Sequence, residues 1–421
     1  MNLFKNNVIR LMLVVVTASA VLVAIKLPGA KADTSLPAYA PTSVSTASFN
    51  TATGMFNLTA ANTARTRASF TNAKSVQQNE VFVGDSITAG WNALSPTFQG
   101  TINRDKSWPY YYRRALNTKL GLPAESGTGL VRAFELNGYS TPYFDGRWSP
   151  GPNGVGVQAK GHYVNVTNSS VTFNSAAKNF TPVTGTAVGV SYFDGGDFKV
   201  SIDGGAAVTV KGGKTGKIMR YSKTGLANKA HTVKIGVGFG VSVQVVGAEV
   251  YSPKGIIASN VAQGGSGVTG DKQDDWSVSG DPKVAMSSTF SNPALYSNAP
   301  STVFIELGGN DLNSNADNLS AIRDGILETA SQYQGSDIIL LSLAQGSAQF
   351  SKVDIGPLQT MLYQLAYDHN WPLWDIQYVT GGYDGLKAKG YVGDNYGHFT
   401  PAGYQWFGEM MANTIFNAPQ Q

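Results

Sequence analysis

Four short segments of this 421-residue chain carry residue types whose spacing could support nucleophilic catalysis. Gly84-Asp85-Ser86 follows Val81-Phe82-Val83, a short buried-strand run, so Ser86 would stand at the C-terminal edge of a sheet with its hydroxyl and N–H facing one crevice. A serine hydroxyl is a poor nucleophile unless a base takes its proton. Asp394-Asn395-Tyr396-Gly397-His398 offers that base: His398 sits in a loop before a helix starting at Pro401. A carboxylate would fix the imidazole tautomer, and Asp394 is the nearest candidate. Gly308-Gly309-Asn310-Asp311 follows another buried strand and lets Asn310 point an amide N–H into the same crevice. Asn260-Val261-Ala262-Gln263-Gly264-Gly265 follows a third, where a glycine N–H is a further donor. With the Ser86 N–H these make an oxyanion hole. Gly264, Gly265 and Gly267 share that loop, and each offers such an N–H.

Other residues with chemical potential read more simply as structural. His231 lies in a β run and is expected to be packed or hydrogen-bonded, His369 to cap a helix end, and His162 to be a strand residue. Trp91, Trp108, Trp148 and Trp276 could stack on sugar rings or serve as core. Asp85 and Asp311 are expected to hold their loops by accepting backbone N–H groups. Asp271, Asp274 and Asp275 match no calcium-loop spacing. The chain has no cysteine, which excludes disulfides and thiolate metal sites.

These segments need elements to position them. Trp108 to Leu120 reads as a helix, with Pro109 in its first turn and Tyr112, Leu116 and Leu120 on one face. Strand-like stretches Gly255 to Val261, Val303 to Leu307 and Ile338 to Leu343 alternate with helices Ala321 to Tyr333, Pro357 to His369 and Pro401 to Phe416. That order implies a parallel, doubly wound sheet with active-site loops at the strand C-termini. Residues 127–252 differ: Tyr163 to Val166, Val188 to Tyr192, Phe198 to Ile202 and His231 to Ile235 are short strands between turns such as Asp194-Gly195-Gly196-Asp197. This all-β block divides the α/β part into 76–126 and 253–421.

The amino-terminal region reads as an export signal over 1–32: Lys5 and Arg10 precede the apolar run Leu11 to Ile25, and Ala30-Lys31-Ala32 is a small-x-small cleavage site. The mature protein is then secreted, beginning at Asp33, without a stable membrane insertion; retention at a cell surface stays open. The segment's four basic residues account for the formal charge of +4. No Lys/Arg stripe is present elsewhere, so nucleic acid is not an expected partner. Residues 33–75, rich in Ser, Thr, Ala and Asn, are expected to form a flexible spacer that becomes ordered towards Phe70.

The order Gly-Asp-Ser, Asn-x-Ala-x-Gly-Gly, Gly-Gly-Asn-Asp and Asp…His-x-Thr-Pro-x-Gly-Tyr resembles the four sequence blocks of the SGNH (GDSL-type) hydrolases, over roughly 80–125 and 255–416. The resemblance implies a flavodoxin-like three-layer α/β/α fold, ester hydrolysis through an acyl-enzyme and no metal or other cofactor. It implies Ser86 as nucleophile, Gly265 and Asn310 as oxyanion donors and Asp394 and His398 as the rest of a triad. One departure stands out. The family spaces its acid and base as D-x-x-H, which falls on Asn395, and Asp394 lies one residue further back. Val200-Ser201-Ile202-Asp203-Gly204 and the stretch Gly225 to Val233 resemble the jelly-roll modules attached to carbohydrate esterases, implying a carbohydrate-binding insert. The expected activity is O-deacetylation of an acylated polysaccharide. Two alternatives remain: a lipid esterase or lysophospholipase on the same triad, and a surface glycan-binding protein with a vestigial hydrolase.

Overall fold

The computed structural model describes residues 36–45, 48–93, 104–133, 144–145, 156–160, 163–167, 170–176, 182–238, 241–269, 289–314, 318–342, 354–395 and 397–418. The export segment 1–32, Trp148, His162, Trp276 and the Asp271, Asp274, Asp275 group lie outside the described residues.

The strands, in chain order, are β1 (Phe49–Asn50), β2 (Met55–Phe56), β3 (Gln78–Gly84), β4 (Val131–Arg132), β5 (Phe144–Asp145), β6 (Gly156–Lys160), β7 (Tyr163–Thr167), β8 (Ser170–Asn174) and β9 (Ala187–Phe193). They continue with β10 (Phe198–Ile202), β11 (Val208–Val210), β12 (Ile218–Lys223), β13 (Thr232–Gly236), β14 (Ser242–Tyr251), β15 (Ile256–Asn260), β16 (Pro300–Glu306), β17 (Asp337–Leu341) and β18 (Leu373–Trp374). One sheet runs β1-β2-β18-β17-β16-β3-β15, and its five strands from β18 to β15 are parallel.

Counting only the parallel strands in chain order, their spatial order is 2-1-3-4-5, the flavodoxin-like doubly wound arrangement. The order reverses between β3 and β16. A crevice therefore opens beyond the carboxyl ends of these two strands, which lead directly to Ser86 and Asn310.

Alternate side chains of a strand point to opposite faces, and both faces are covered. Val81, Val83, Val303 and Ile305 pack with Ile322, Ile326, Leu358 and Leu362 of the helices Leu319–Gln332 and Gly356–Asp368. On the other face Phe82, Phe304 and Ile339 pack with Trp108, Tyr112, Phe407 and Met411 of the helices Trp108–Lys119 and Pro401–Phe416. The result is three layers, α/β/α. Phe82 and Phe304 stack at 4.7 Å across β3 and β16, which locks the register of the two strands that carry the site.

Residues from 36 to 75 correct the expectation of a flexible spacer. β1 and β2 form a hairpin that pairs antiparallel with β18, and Phe56 is fully buried, while the helix Ala64–Asn72 agrees with the order expected towards Phe70. The Tyr39 hydroxyl donates to the buried Asp375 carboxylate at 2.6 Å. The physical reason is the sheet edge: β18 would otherwise expose unpaired backbone groups, and the hairpin covers them.

The intervening block forms two antiparallel sheets, β11-β10-β13-β8-β5 and β12-β9-β14-β7-β6, with β4 pairing β14. Phe173, Val200 and Ile235 of the first share one apolar cluster with Val190, Tyr192 and Val245 of the second. It enters and leaves the α/β body where Gly127 bridges Tyr251. Among the described residues no helix is long and apolar enough to cross a membrane.

Candidate active site

Ser86 opens the short helix Ser86–Ala89 directly after β3, and Asp85 caps it by accepting the Ile87 N–H at 2.9 Å. Ser86 Oγ lies 2.8 Å from His398 Nε2. His398 Nδ1 in turn lies 2.7 Å from Asp394 Oδ2, and the His398 backbone N–H donates to Asp394 Oδ1 at 3.1 Å. With its proton on Nδ1, the ring donates to Asp394 and accepts from Ser86, the orientation a general base requires. The acid and base come from one tight hairpin, closed where Gly393 N–H donates to the His398 carbonyl at 2.8 Å. Asp394 thus reaches His398 from the position one residue before the family's usual place.

Sequence reasoning missed one neighbour of this pair, Asn92, and gave another, Trp91, a different role. Asn92, buried and at φ 62°, donates from Nδ2 to Asp394 Oδ2 at 2.8 Å. Trp91, which precedes it, stacks on the His398 ring with centroids 5.7 Å apart, and its carbonyl accepts from the Tyr404 hydroxyl at 2.8 Å. The only signal available was an asparagine, a residue that tolerates the left-handed region, six positions after the nucleophile. Trp108, by contrast, is fully buried core.

The other candidate donors lie against the Gly84–Asp85 segment that precedes Ser86. Asn310 lies in the first turn of the helix Gly309–Ser314, and its Nδ2 donates to the Ser266 carbonyl at 3.0 Å and to Asp85 Oδ2 at 3.2 Å. Along the loop after β15, Gln263 N–H donates to Gly84 O at 3.0 Å and Ser266 N–H to Gln263 O at 3.3 Å. The latter closes a turn over Gln263 to Ser266, with Gly265 at φ +76°, as the third residue of a type II turn needs. Among the described residues a Cβ at Gly265 would meet no atom within 4 Å. Among the described residues the N–H groups of Gly264 and Gly265 meet no acceptor, whereas those of Val268 and Thr269 are taken by Asp311 Oδ1. Asp311 thus anchors this loop, and Gly267 lies against it so closely that a Cβ would come within 2.3 Å of Asp311 Oδ1.

Beneath the nucleophile lie two carboxyl groups. Glu306, at the end of β16, accepts from Thr88 Oγ1 at 2.9 Å and from the Asp85 N–H at 3.4 Å. Burial and then the neighbouring Asp85 carboxylate hold Glu306 well above the usual carboxylate range. Burial also raises Asp85, opposed by the Ile87 N–H and by His398. Away from the site, His231 Nδ1 pairs with Asp203 Oδ2 at 2.9 Å and its Nε2 lies 3.0 Å from the Gly185 carbonyl, while His369 caps the helix Gly356–Asp368.

No family model and no curated protein matches the sequence. Among solved structures the fold matches a peptidoglycan O-acetylesterase with a TM-score of 0.59 and 16% identity, over 86% of this chain and 98% of that one. Lower-scoring matches are a family two carbohydrate esterase from Clostridium thermocellum in complex with cellohexaose (TM-score 0.26, 16% identity, 62% of this chain and 98% of that one) and one from Cellvibrio japonicus (0.26, 10%, 69% and 97%). The fold assignment rests on the first alone. With the 2-1-3-4-5 sheet, the loops that follow its strands and this match together, the chain has an SGNH hydrolase-like fold.

Proposed function

We propose that the protein is a secreted serine esterase that removes O-acetyl groups from a polysaccharide. The observation that carries this reading is the hydrogen-bonded series Ser86, His398, Asp394 at the sheet's switch point. Ser86 Oγ attacks the ester carbonyl carbon while its proton passes to His398 Nε2. The carbonyl oxygen, now negative, accepts from Ser86 N–H, Gly265 N–H and Asn310 Nδ2; for this Asn310 exchanges its longer bond, the one of 3.2 Å to Asp85. Collapse expels the sugar oxygen, which takes the proton from His398. Water then attacks the acyl-Ser86 carbonyl and gives a proton to His398; collapse releases the acid, and the Ser86 oxygen takes that proton from His398.

The fold match to a peptidoglycan O-acetylesterase supports an acetylated glycan as substrate. Secretion is inferred from the segment 1–32. The inserted β block is inferred to be a jelly-roll, glycan-binding module. Acetate release from acetylated xylan, peptidoglycan and exopolysaccharide, read beside a chain-length series of aryl esters, tests the proposal. Acetate release from one polymer with a preference for aryl acetate is expected. A preference for long acyl chains points to lipid instead, and glycan binding without hydrolysis of any ester rejects the enzyme.

A further inference from the structure

The loop that carries the glycine donors is gripped by two guanidinium groups. Arg104, in the short helical turn Arg104–Lys106, donates from Nη1 to the Asn260 carbonyl and to Asn260 Oδ1, both at 3.1 Å, and from Nη2 to the Ala262 carbonyl at 2.7 Å. Arg132 comes from the inserted β block, at the end of β4 opposite Gly247 of β14. It is 1% exposed, among the largest fully buried side chains of the protein. Its Nη1 donates to the Val261 and Ala262 carbonyls, each at 3.3 Å, and to Gln263 Oε1 at 2.7 Å, and its guanidinium sits 4.9 Å from the centre of the Phe290 ring.

These contacts fix peptide planes. The peptide groups joining Val261 to Ala262 and Ala262 to Gln263 are held on the carbonyl side by Arg132, and Arg104 shares the second. On the N–H side, Ala262 donates to Asn260 Oδ1 at 3.2 Å and Gln263 to Gly84 O at 3.0 Å. Gln263, held by both its backbone and its side chain, is the first residue of the turn whose central peptide carries the Gly265 N–H. The direction of that N–H is therefore set by the placement of Gln263. Burying a guanidinium is unfavourable unless its donors are met. Simple adhesion of the β block to the body would be served by apolar residues such as the neighbouring Leu130, which is buried at the same junction.

We propose that Arg132 is a positioning residue through which the inserted β block orients the Gln263–Ser266 turn and with it the Gly265 oxyanion donor. The inference rests on the esterase reading of the site. It makes the block a working part of the hydrolase, not only an attachment for glycan.

The test uses the full chain with Arg132→Lys and Arg132→Met, measured for kcat, KM and titratable active serine, with amide exchange followed over 260–266. The oxyanion role predicts a fall in kcat per titrated site of about 10- to 100-fold with KM held within about 2-fold, because the lost interaction acts on the transition state. Exchange over 260–266 should quicken while that of β9 and β14 stays as in the wild type. Arg132→Lys should recover part of the loss, since an ammonium can reach one acceptor but lacks the planar fork. Wild-type kcat per site in both variants overturns the inference, as does a loss of active protein with unchanged exchange over 260–266. A wild type inert on every ester overturns the esterase reading and the oxyanion role with it; an active wild type with unaffected variants overturns this inference alone.

Discussion

Replacing Asp394 tests the least conventional member of the site. Among the described residues its carboxylate accepts from His398 Nδ1 at 2.7 Å, from Asn92 Nδ2 at 2.8 Å and from the His398 backbone N–H at 3.1 Å. The first holds the tautomer and stabilises the imidazolium formed when Ser86 loses its proton. In Asp394→Asn no orientation of the amide serves all three donors. With its oxygen toward Nδ1, its NH2 opposes the His398 backbone N–H; turned over, the NH2 opposes both Nδ1–H and Asn92. A charge-assisted bond to the base, lost together with the correct tautomer, corresponds to about 4 to 5.5 kcal/mol of transition-state stabilisation, or roughly 10³- to 10⁴-fold in kcat. Asp394→Ala should fall as far as His398→Ala within about tenfold, since members of such a triad act as a unit. Asn92→Ala removes one bond and keeps the charge, so a loss of about 5- to 30-fold is expected, in line with a single hydrogen bond to a charged group. The assay is initial-rate hydrolysis of an aryl acetate per folded molecule, with thermal unfolding as control. Asp394→Ala retaining a tenth or more of wild-type kcat would show that another group orients His398, and the reasoning from the hairpin geometry would fail.

Two further outcomes follow from the structure. Asn310→Ala should lower kcat by about 10²- to 10³-fold with little change in KM; an unchanged rate on aryl acetate removes Asn310 from the mechanism. Glu80, fully buried in β3, is pushed by burial from 4.5 up to about 8. Its contribution to stability is therefore fully present below pH 4.5 and is lost as pH rises through about 8, because the unfolded chain ionises first. At about 1.4 kcal/mol per pH unit, the wild type should lose roughly 3 to 4 kcal/mol between pH 5 and pH 8 that Glu80→Gln does not. Thermal unfolding of both proteins at the two pH values checks this, and parallel shifts would refute it.

The sequence made the parallel strands legible because a strand covered on both faces is a run of apolar residues, as Val81-Phe82-Val83 and Val303-Phe304-Ile305 are. Loops following such runs then pointed to Ser86, Asn310 and the Gly265 loop, and the structure brings all three to the crevice between β3 and β16. Periodicity fails where elements are too short to repeat. β1, β2 and β18 are two residues each, and no pattern distinguishes Met55-Phe56 from isolated apolar residues in a polar stretch. Residues acting across the chain were equally hidden. Arg132 meets partners about 130 positions away, and a lone arginine in a β-rich segment reads as surface. Asn92 gives no sign of facing Asp394 until the chain is folded.

The identity of the nucleophile is tested most directly by covalent trapping. Treating the protein with an aryl phosphonate ester, followed by intact-mass measurement and peptide mapping, should give one adduct per chain. That adduct should lie on Ser86, with hydrolytic activity lost in proportion to labelling, and Ser86→Ala should be neither labelled nor active. An adduct on another residue, or full ester hydrolysis by Ser86→Ala, would contradict the assignment of the site.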